Sequence, residues 1–202
     1  AVGSPQRIKA LEKLLLHGEG ETVFVVGRSH GTFVGSSPET LVNLTKGQLE
    51  THALAGTSTA DQDVDSLSAD EKIQREHKTV ITHLKTKLER IAGSVQVDET
   101  QLRRSRSLRH LETKMRAVVG NEHLLGLVSD LHPTPALGGA PTQAAQAWLR
   151  KYEDLDRGWF GGPIGWFHQN GDGQCAVAIR CALLDARGVH AYAGAGIVKG
   201  SD

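Results

Sequence analysis

Short β-forming runs, each closed by a turn signal, occupy both ends of this chain and enclose one long helical stripe. Few folds accommodate that order. At the N-terminal end, Thr22-Val23-Phe24-Val25-Val26-Gly27 is a short β-branched run, His30-Gly31 marks a turn, and Thr32-Phe33-Val34-Gly35 reads as the returning strand of a hairpin. Ser36-Ser37-Pro38-Glu39 interrupts the pattern, Thr40 to Leu44 resumes it, and Lys46-Gly47 turns the chain into a strand over Gln48 to Ala55. At the C-terminal end, Trp159 to Trp166, a turn at Asn170-Gly171-Asp172-Gly173, and strands over Gln174 to Leu184 and Val189 to Val198 read as an antiparallel meander. Between the two, Ile73, His77, Val80, Leu84, Leu88 and Ile91 recur at helical spacing behind a capping box, Ser68-Ala69-Asp70-Glu71, with Ser68 as the cap.

Further helices are expected over Pro5 to His17, over Leu124 to Leu131, and after Pro141, where Ala144, Ala145, Trp148, Leu149 and Tyr152 form a stripe predicted to be buried. Gly56 to Ser66 reads as a polar loop. The fold class is therefore α/β of the α+β kind, antiparallel sheets flanked by helices, in one domain over residues 1–202. Lys plus Arg (23) balances Asp plus Glu (23), so no net charge draws the chain to nucleic acid or an acidic membrane. Arg103, Arg104, Arg106 and Arg109 follow closely but without interleaved aromatics, which favours a solvated loop or strand over a nucleic-acid contact. With no apolar run near 20 residues and no signal-peptide pattern at the start, the expectation is a cytoplasmic protein with neither nucleic-acid nor membrane partners. Cys175 and Cys181, six residues apart in one predicted strand, would lie about 20 Å apart and could not bridge.

The strand Gln174 to Leu184 carries the most chemical information. Alternation puts Cys175, Val177, Ile179, Cys181 and Leu183 on a core face and Ala176, Ala178, Arg180, Ala182 and Leu184 on the other. With Ala191, Ala193 and Ala195 on the next strand, small side chains would leave a hollow in which Arg180 could grip a carboxylate; a salt bridge within the fold is the alternative. Glu76 lies at the edge of the helical stripe, either a boundary residue or a ligand for a hard cation. Glu39 follows Pro38 in a break between strands, where a surface carboxylate is the ordinary alternative to a functional one. The histidines His77, His110 and His132 read as core or capping residues. Zinc-ligand spacings, a P-loop and a GxGxxG motif are all missing.

Taken together, Phe33-Val34-Gly35-Ser36-Ser37-Pro38-Glu39, Leu54-Ala55-Gly56-Thr57, Arg75-Glu76-His77, His132-Pro133-Thr134-Pro135-Ala136-Leu137-Gly138-Gly139, Arg157 to Trp166, Ala178-Ile179-Arg180-Cys181-Ala182 and Ala193-Gly194-Ala195-Gly196-Ile197-Val198 occur in an order that closely resembles the catalytic domain of the chorismate-utilising enzymes. The anthranilate synthase component one type of fold, antiparallel sheets enclosing the site, is what the resemblance implies. Within the family the chain resembles isochorismate synthase. Ala55 stands where aminodeoxychorismate synthases carry a nucleophilic Lys, and the His132-Pro133-Thr134-Pro135 block differs from anthranilate synthases. Salicylate synthase is the runner-up, and a non-catalytic chorismate-binding module is the alternative from another class.

Carried over residue by residue, the resemblance implies Glu39 as the general acid that protonates the departing ring hydroxyl and Glu76 as one Mg²⁺ ligand. It implies Arg180 as holder of a substrate carboxylate, Gly56, Thr57 and Gly194 as substrate-binding positions, and Ala136 and Leu137 as pocket lining. Chorismate is then the partner and Mg²⁺ the cofactor. The family's water-activating Lys precedes the first strand, and neither Lys9 nor Lys13 matches it. The family's second Mg²⁺-binding Glu follows the point where this sequence stops. A segment incomplete at both ends, with little activity alone, is the expectation.

Overall fold

In a computed structural model the described residues are 20–59, 69–105, 108–199 and 201, together with residues 9, 12, 13 and 16, which are helical. The predicted helix Pro5 to His17 otherwise lies outside them, as do most of the polar loop before residue 69 and Ser68. Eleven strands and four helices follow. The strands are β1 (Thr22–Arg28), β2 (Gly31–Ser37), β3 (Thr40–Thr45), β4 (Gln48–Thr59), β5 (Gln96–Val97), β6 (Gln101–Ser105), β7 (Leu108–Val118), β8 (Pro163–Phe167), β9 (Gly173–Val177), β10 (Cys181–Asp185) and β11 (Val189–Ala191). The helices are α1 (Glu71–Ala92), α2 (Leu124–Leu131), α3 (Pro135–Gly138) and α4 (Thr142–Tyr152).

All strand pairs are antiparallel and fall into two sheets. The smaller has the order β1-β2-β10-β11; the larger runs β5-β7-β4-β3-β9-β8, with β6 paired to β7. The chain changes sheet twice, between β2 and β3 at Pro38–Glu39 and between β9 and β10 at Ala178–Arg180. These two crossings lie side by side. Val177 N donates to Glu39 O (3.0 Å) and Ser36 N to Arg180 O (3.2 Å), which stitches them across the seam.

Helix α1 begins at Asp70, not at Ser68: the Asp70 carboxylate accepts from the backbone N–H groups of Lys72 and Ile73, satisfying two donors that the first turn leaves open. It ends at Gly93, whose φ of 76° closes the last turn onto Glu89 O. The expected stripe buries His77, Val80, Leu84 and Leu88 against β4 and β7. Leu84 and Leu88 are fully buried, and burying such a side chain contributes about 1.5–3 kcal/mol each. With α2 they form the main core over the larger sheet, joined by Leu41, Val42, Leu44, Leu49, Met115 and Val177. A second cluster, Phe24, Phe33, Ala178 and Cys181, fills the smaller sheet, bordered by a Phe160–Tyr192 stack at 5.3 Å.

Four expectations are corrected. The strand over Gln174 to Leu184 is broken at Ala178–Arg180, because its halves belong to different sheets; Ala176 and Ala178 are buried core residues, not the floor of a hollow. The last strand ends at Ala191 instead of Val198. The stripe on α4 is not buried: Trp148 and Tyr152 are 59% and 57% exposed, stacked on each other at 5.2 Å, because no described element covers that face. β4 continues through Gly56 to Thr59, where a polar loop was expected. Of the basic segment, Arg103, Arg104 and Arg109 lie on the antiparallel pair β6–β7, in which Arg103 bonds Glu112 (2.8 Å) and the carbonyl oxygens of Pro38 and Gly20. Both cysteines are free and buried, as the spacing predicted, and burial pushes both thiols up to about 11. Among the described residues, no helix is long and apolar enough to cross a membrane.

His77 supplies a pH signature. Its Nε2 meets Thr113 Oγ1 at 2.9 Å, and burial pushes it from 6.5 down to about 4. Between those values the unfolded chain takes up a proton that the folded chain refuses. The stability His77 permits is therefore complete above pH 6.5 and lost as pH falls toward 4, at about 1.4 kcal/mol per pH unit. Replacing it by Asn should flatten the pH dependence of urea-unfolding free energy over that window by about that slope; an unchanged slope would show that residue 77 is not the group responsible.

Candidate active site at the seam between the sheets

The first crossing places Glu39. Pro38 fixes φ and offers no N–H, so the chain leaves β2 without continuing the ladder, and Glu39 N turns back onto Ser37 Oγ (3.2 Å). Arg103 holds the Pro38 carbonyl from the β6 side at 2.9 Å. The Glu39 side chain is thereby directed inward. The residue is only 4% exposed and its Oε1 accepts from Thr134 Oγ1 at 3.3 Å. Burial outweighs that hydrogen bond and pushes its carboxyl from 4.5 up to about 7. A carboxylic acid still protonated near neutral pH can donate a proton, which is what a general acid requires.

Thr134 stands at the N-cap of α3, and the His132–Gly138 stretch is anchored by His132 Nε2 against Gly161 O (2.8 Å) and by Arg157 Nη1 donating to Leu137 O (2.8 Å). Ala136 and Leu137 are thus tied to Glu39 through Thr134. Both pack against the main core, so each presents only part of its surface elsewhere.

The second crossing places Arg180, at φ 49°, a left-handed backbone that a non-glycine residue adopts at a cost of about 1–2 kcal/mol. Chain reversal between the sheets, not strand alternation, sets its direction. Its Nη1 donates to Glu21 Oε1 (2.9 Å) and Ser105 Oγ (2.7 Å), and its Nη2 reaches His110 Nε2 at 2.5 Å. Of the two readings of Arg180, the structure shows the salt bridge within the fold, to Glu21. Because a guanidinium only donates, Nε2 accepts, and His110 is neutral with its proton on Nδ1, 3.1 Å from Thr57 Oγ1. Burial, aided by the Arg180 charge, pushes His110 down to about 4.

Gly56 and Thr57 sit at a bulge in β4, where the register with β7 shifts between Ala55 and Thr57. Gly56 has φ 73°, and a Cβ there would lie 2.4 Å from Ile73 Cγ2, so glycine lets the first turn of α1 seat directly on the bulge. Glu76, one turn further along α1, is half-buried; burial raises its carboxyl, opposed by Lys72. It lies against residue 196, where a Cβ would be 2.3 Å from its Oε1. Gly194, by contrast, is exposed and makes no comparable approach, its Cβ position lying 3.9 Å from Phe160.

Arg180, Thr57 and Gly56 are thus brought together through His110; Glu39 lies at the neighbouring crossing with Thr134; Glu76 meets the Gly196 segment and joins the bulge through Ile73. Two surface grooves, about 720 and 480 Å³, lie along α1, and neither is lined by Glu39, Glu76 or Arg180. His110, Thr134, Glu21, Ser36 and Ser105 escaped sequence reasoning as site residues. Thr134 and Ser36 lay inside quoted motifs, but Glu21 meets partners 15 to 159 residues away, which no local pattern reveals. For a divalent cation, Glu76 offers one hard oxygen donor, and the described residues contain no group of three His, Cys, Asp or Glu side chains that could hold a metal. These residues do not by themselves make a Mg²⁺ site.

A family model described as chorismate binding enzyme matches residues 3–202. The chain is 35% identical over 210 residues to the salicylate biosynthesis isochorismate synthase of Pseudomonas aeruginosa, an alignment covering 100% of this chain and 44% of that protein. The menaquinone-specific isochorismate synthase MenF of Escherichia coli superposes with a TM-score of 0.84 at 28% identity, over 99% of this chain and 49% of that one. Anthranilate synthase component I of Streptococcus pneumoniae does so with a TM-score of 0.85 at 26% identity, over 100% and 46%. The chain spans about half the length of the relatives it matches. Since the match runs through both crossings, β4, α1 and the His132–Gly139 stretch alike, the chain belongs to the chorismate-binding enzyme family.

Proposed function

We propose that this chain carries the acid and substrate-holding half of an isochorismate synthase, which converts chorismate to isochorismate. The observation that carries the reading is Glu39: a sealed carboxyl, protonated near neutral pH, held by Thr134 beside the crossing that bears Arg180. In the proposed reaction Arg180 holds a substrate carboxylate. Glu39 gives its proton to the ring hydroxyl, which departs as water. A second water adds two carbons away as the double bonds shift, and loses its proton to a base that the family resemblance places ahead of β1. One water leaves and one enters, so substrate and product are isomers, and Glu39 regains a proton before the next turnover. His110 stays neutral and keeps its Nε2 lone pair on Arg180. The Gly56–Thr57 bulge lets substrate approach the backbone.

Mg²⁺ is part of the proposal as the cation that would neutralise a substrate carboxylate, with Glu76 contributing one donor and the remaining donors coming from outside the described residues. The runner-up within the family is salicylate synthase, and a binding module without turnover is the alternative from a different class. Incubating a polypeptide in which this chain is joined to the base ahead of β1 and the remaining Mg²⁺ donors with chorismate and Mg²⁺, and separating the products, distinguishes them. Isochorismate supports the proposal, salicylate with pyruvate moves the assignment to the runner-up, and calorimetric binding without product leaves the module.

Two substitutions follow. Glu39→Gln keeps an acceptor for Thr134 but cannot protonate a leaving hydroxyl; kcat should fall about 10²- to 10⁴-fold with chorismate affinity within a few-fold. Wild-type kcat should hold below about pH 7 and decline above it as Glu39 ionises. A variant with undiminished kcat would remove Glu39 from the chemistry. Glu76→Gln should raise the Mg²⁺ concentration for half-maximal activity by about tenfold or more, measured by metal titration at saturating chorismate; equal Mg²⁺ requirement in both proteins would exclude Glu76 as a ligand.

A further inference from the structure

The reaction proposed above makes no use of Glu21, although its carboxylate is an enclosed partner of Arg180. The side chain is 3% exposed at the entry to β1, against 26% for Arg180. One oxygen accepts from Ser36 on β2; the other accepts from Ser105 on β6 and from Arg180 Nη1. Ser105 Oγ itself accepts from Nη1, so Glu21, Ser105 and Arg180 close a triangle on that nitrogen, while His110 fixes Nη2 from β7. Both ends of a planar group are therefore anchored, and anchoring both ends fixes the plane. An arginine emerging from a left-handed bend would otherwise sample many rotamers.

A carboxylate paired with an arginine could instead be a place-holder that a ligand must expel. The two serines argue against this. Glu21 could withdraw only by abandoning three hydrogen-bond donors in a nearly sealed position, whereas the accessible part of the pair belongs to Arg180. Removing one member of a buried ion pair strands the other, so the pair persists when ligand arrives.

We propose that Glu21 is a positioning residue for Arg180: buried between Ser36 and Ser105, it locks the guanidinium so that its accessible edge meets an incoming carboxylate. The proposal rests on reading Arg180 as the holder of a chorismate carboxylate.

Glu21→Gln preserves shape and removes charge; Ser105→Ala weakens the same lock from the other side and guards against a first variant that fails to fold. Each is compared with wild type by calorimetric titration with chorismate, by kcat and KM, and by nitrogen-detected NMR of the Arg180 guanidinium, with thermal midpoints as the folding control. The expected result is chorismate binding weakened about tenfold in Glu21→Gln and less in Ser105→Ala, carried by KM with kcat little changed. Arg180 terminal-nitrogen signals should be distinct in wild type and averaged by rotation in the variants. Unchanged or tighter chorismate binding in a folded variant, or Arg180 signals as fixed as in wild type, overturns the proposal. A wild type that binds no chorismate overturns the reading of Arg180 on which it stands, and the NMR comparison then still decides whether Glu21 is the lock.

Discussion

Two backbone hydrogen bonds, Val177 N to Glu39 O and Ser36 N to Arg180 O, hold together the places where the chain passes from one sheet to the other. Everything else in the candidate site depends on that stitch. Inside a sheet, side chains alternate between the two faces and neighbours occupy both; at a crossing the ladder is interrupted and a side chain can point into the gap between sheets. Each crossing spends that freedom on one ionisable residue. Glu39 goes into a sealed position where burial keeps it protonated, and Arg180 emerges into a ring of donors and acceptors. The opposite demands of the two groups, one deprived of charge partners and one surrounded by them, are met a few residues apart.

The surrounding elements serve this seam. Strands β6 and β7 contribute Arg103 to the Pro38 carbonyl, Ser105 to Glu21 and His110 to Arg180, so one antiparallel pair touches both crossings. The bulge at Gly56 brings the first turn of α1 down onto β4, which sets the height of Glu76. Below them the main core of leucines and valines is buried, and close packing of such a core resists displacement of any one strand. A polar network above such a core has few ways to relax, and that rigidity suits a site whose groups must be fixed before substrate arrives.

Much of this was legible in the residues. Period-two runs and Gly or Pro punctuation located the N-terminal hairpin, β3 and the start of β4, and helical spacing located α1 with its buried face. The motif blocks led to Glu39, Glu76 and Arg180, and the structure places these at the crossings and on α1. Arg180 nonetheless does not stand over a hollow floored by alanines. Alternation across a single strand implied one, yet the strand is two strands, and Ala176 and Ala178 lie in the core. Local periodicity cannot register a change of sheet, because the β pattern on either side of the break is equally good. Trp148 and Tyr152 on α4 fail for a related reason: spacing shows that a face is apolar but not whether anything covers it.

What the amino-acid order determined by itself is short-range. It located the N-terminal hairpin, β3, α1 and α2, the apolar side of α1, and Glu39 behind a proline that ends a ladder, since all of these depend on neighbours within a few residues. Tertiary structure alone decided the charge states and partners. Glu39 holds its proton because burial disfavours its charged form, against the pull of the Thr134 hydrogen bond. His110 is neutral because it is buried and a guanidinium contributed 70 residues later occupies its lone pair, and Glu21 is anchored to Arg180 across 159 residues. Desolvation and Coulomb interaction act through space, so only the closing of the two sheets on each other could settle them.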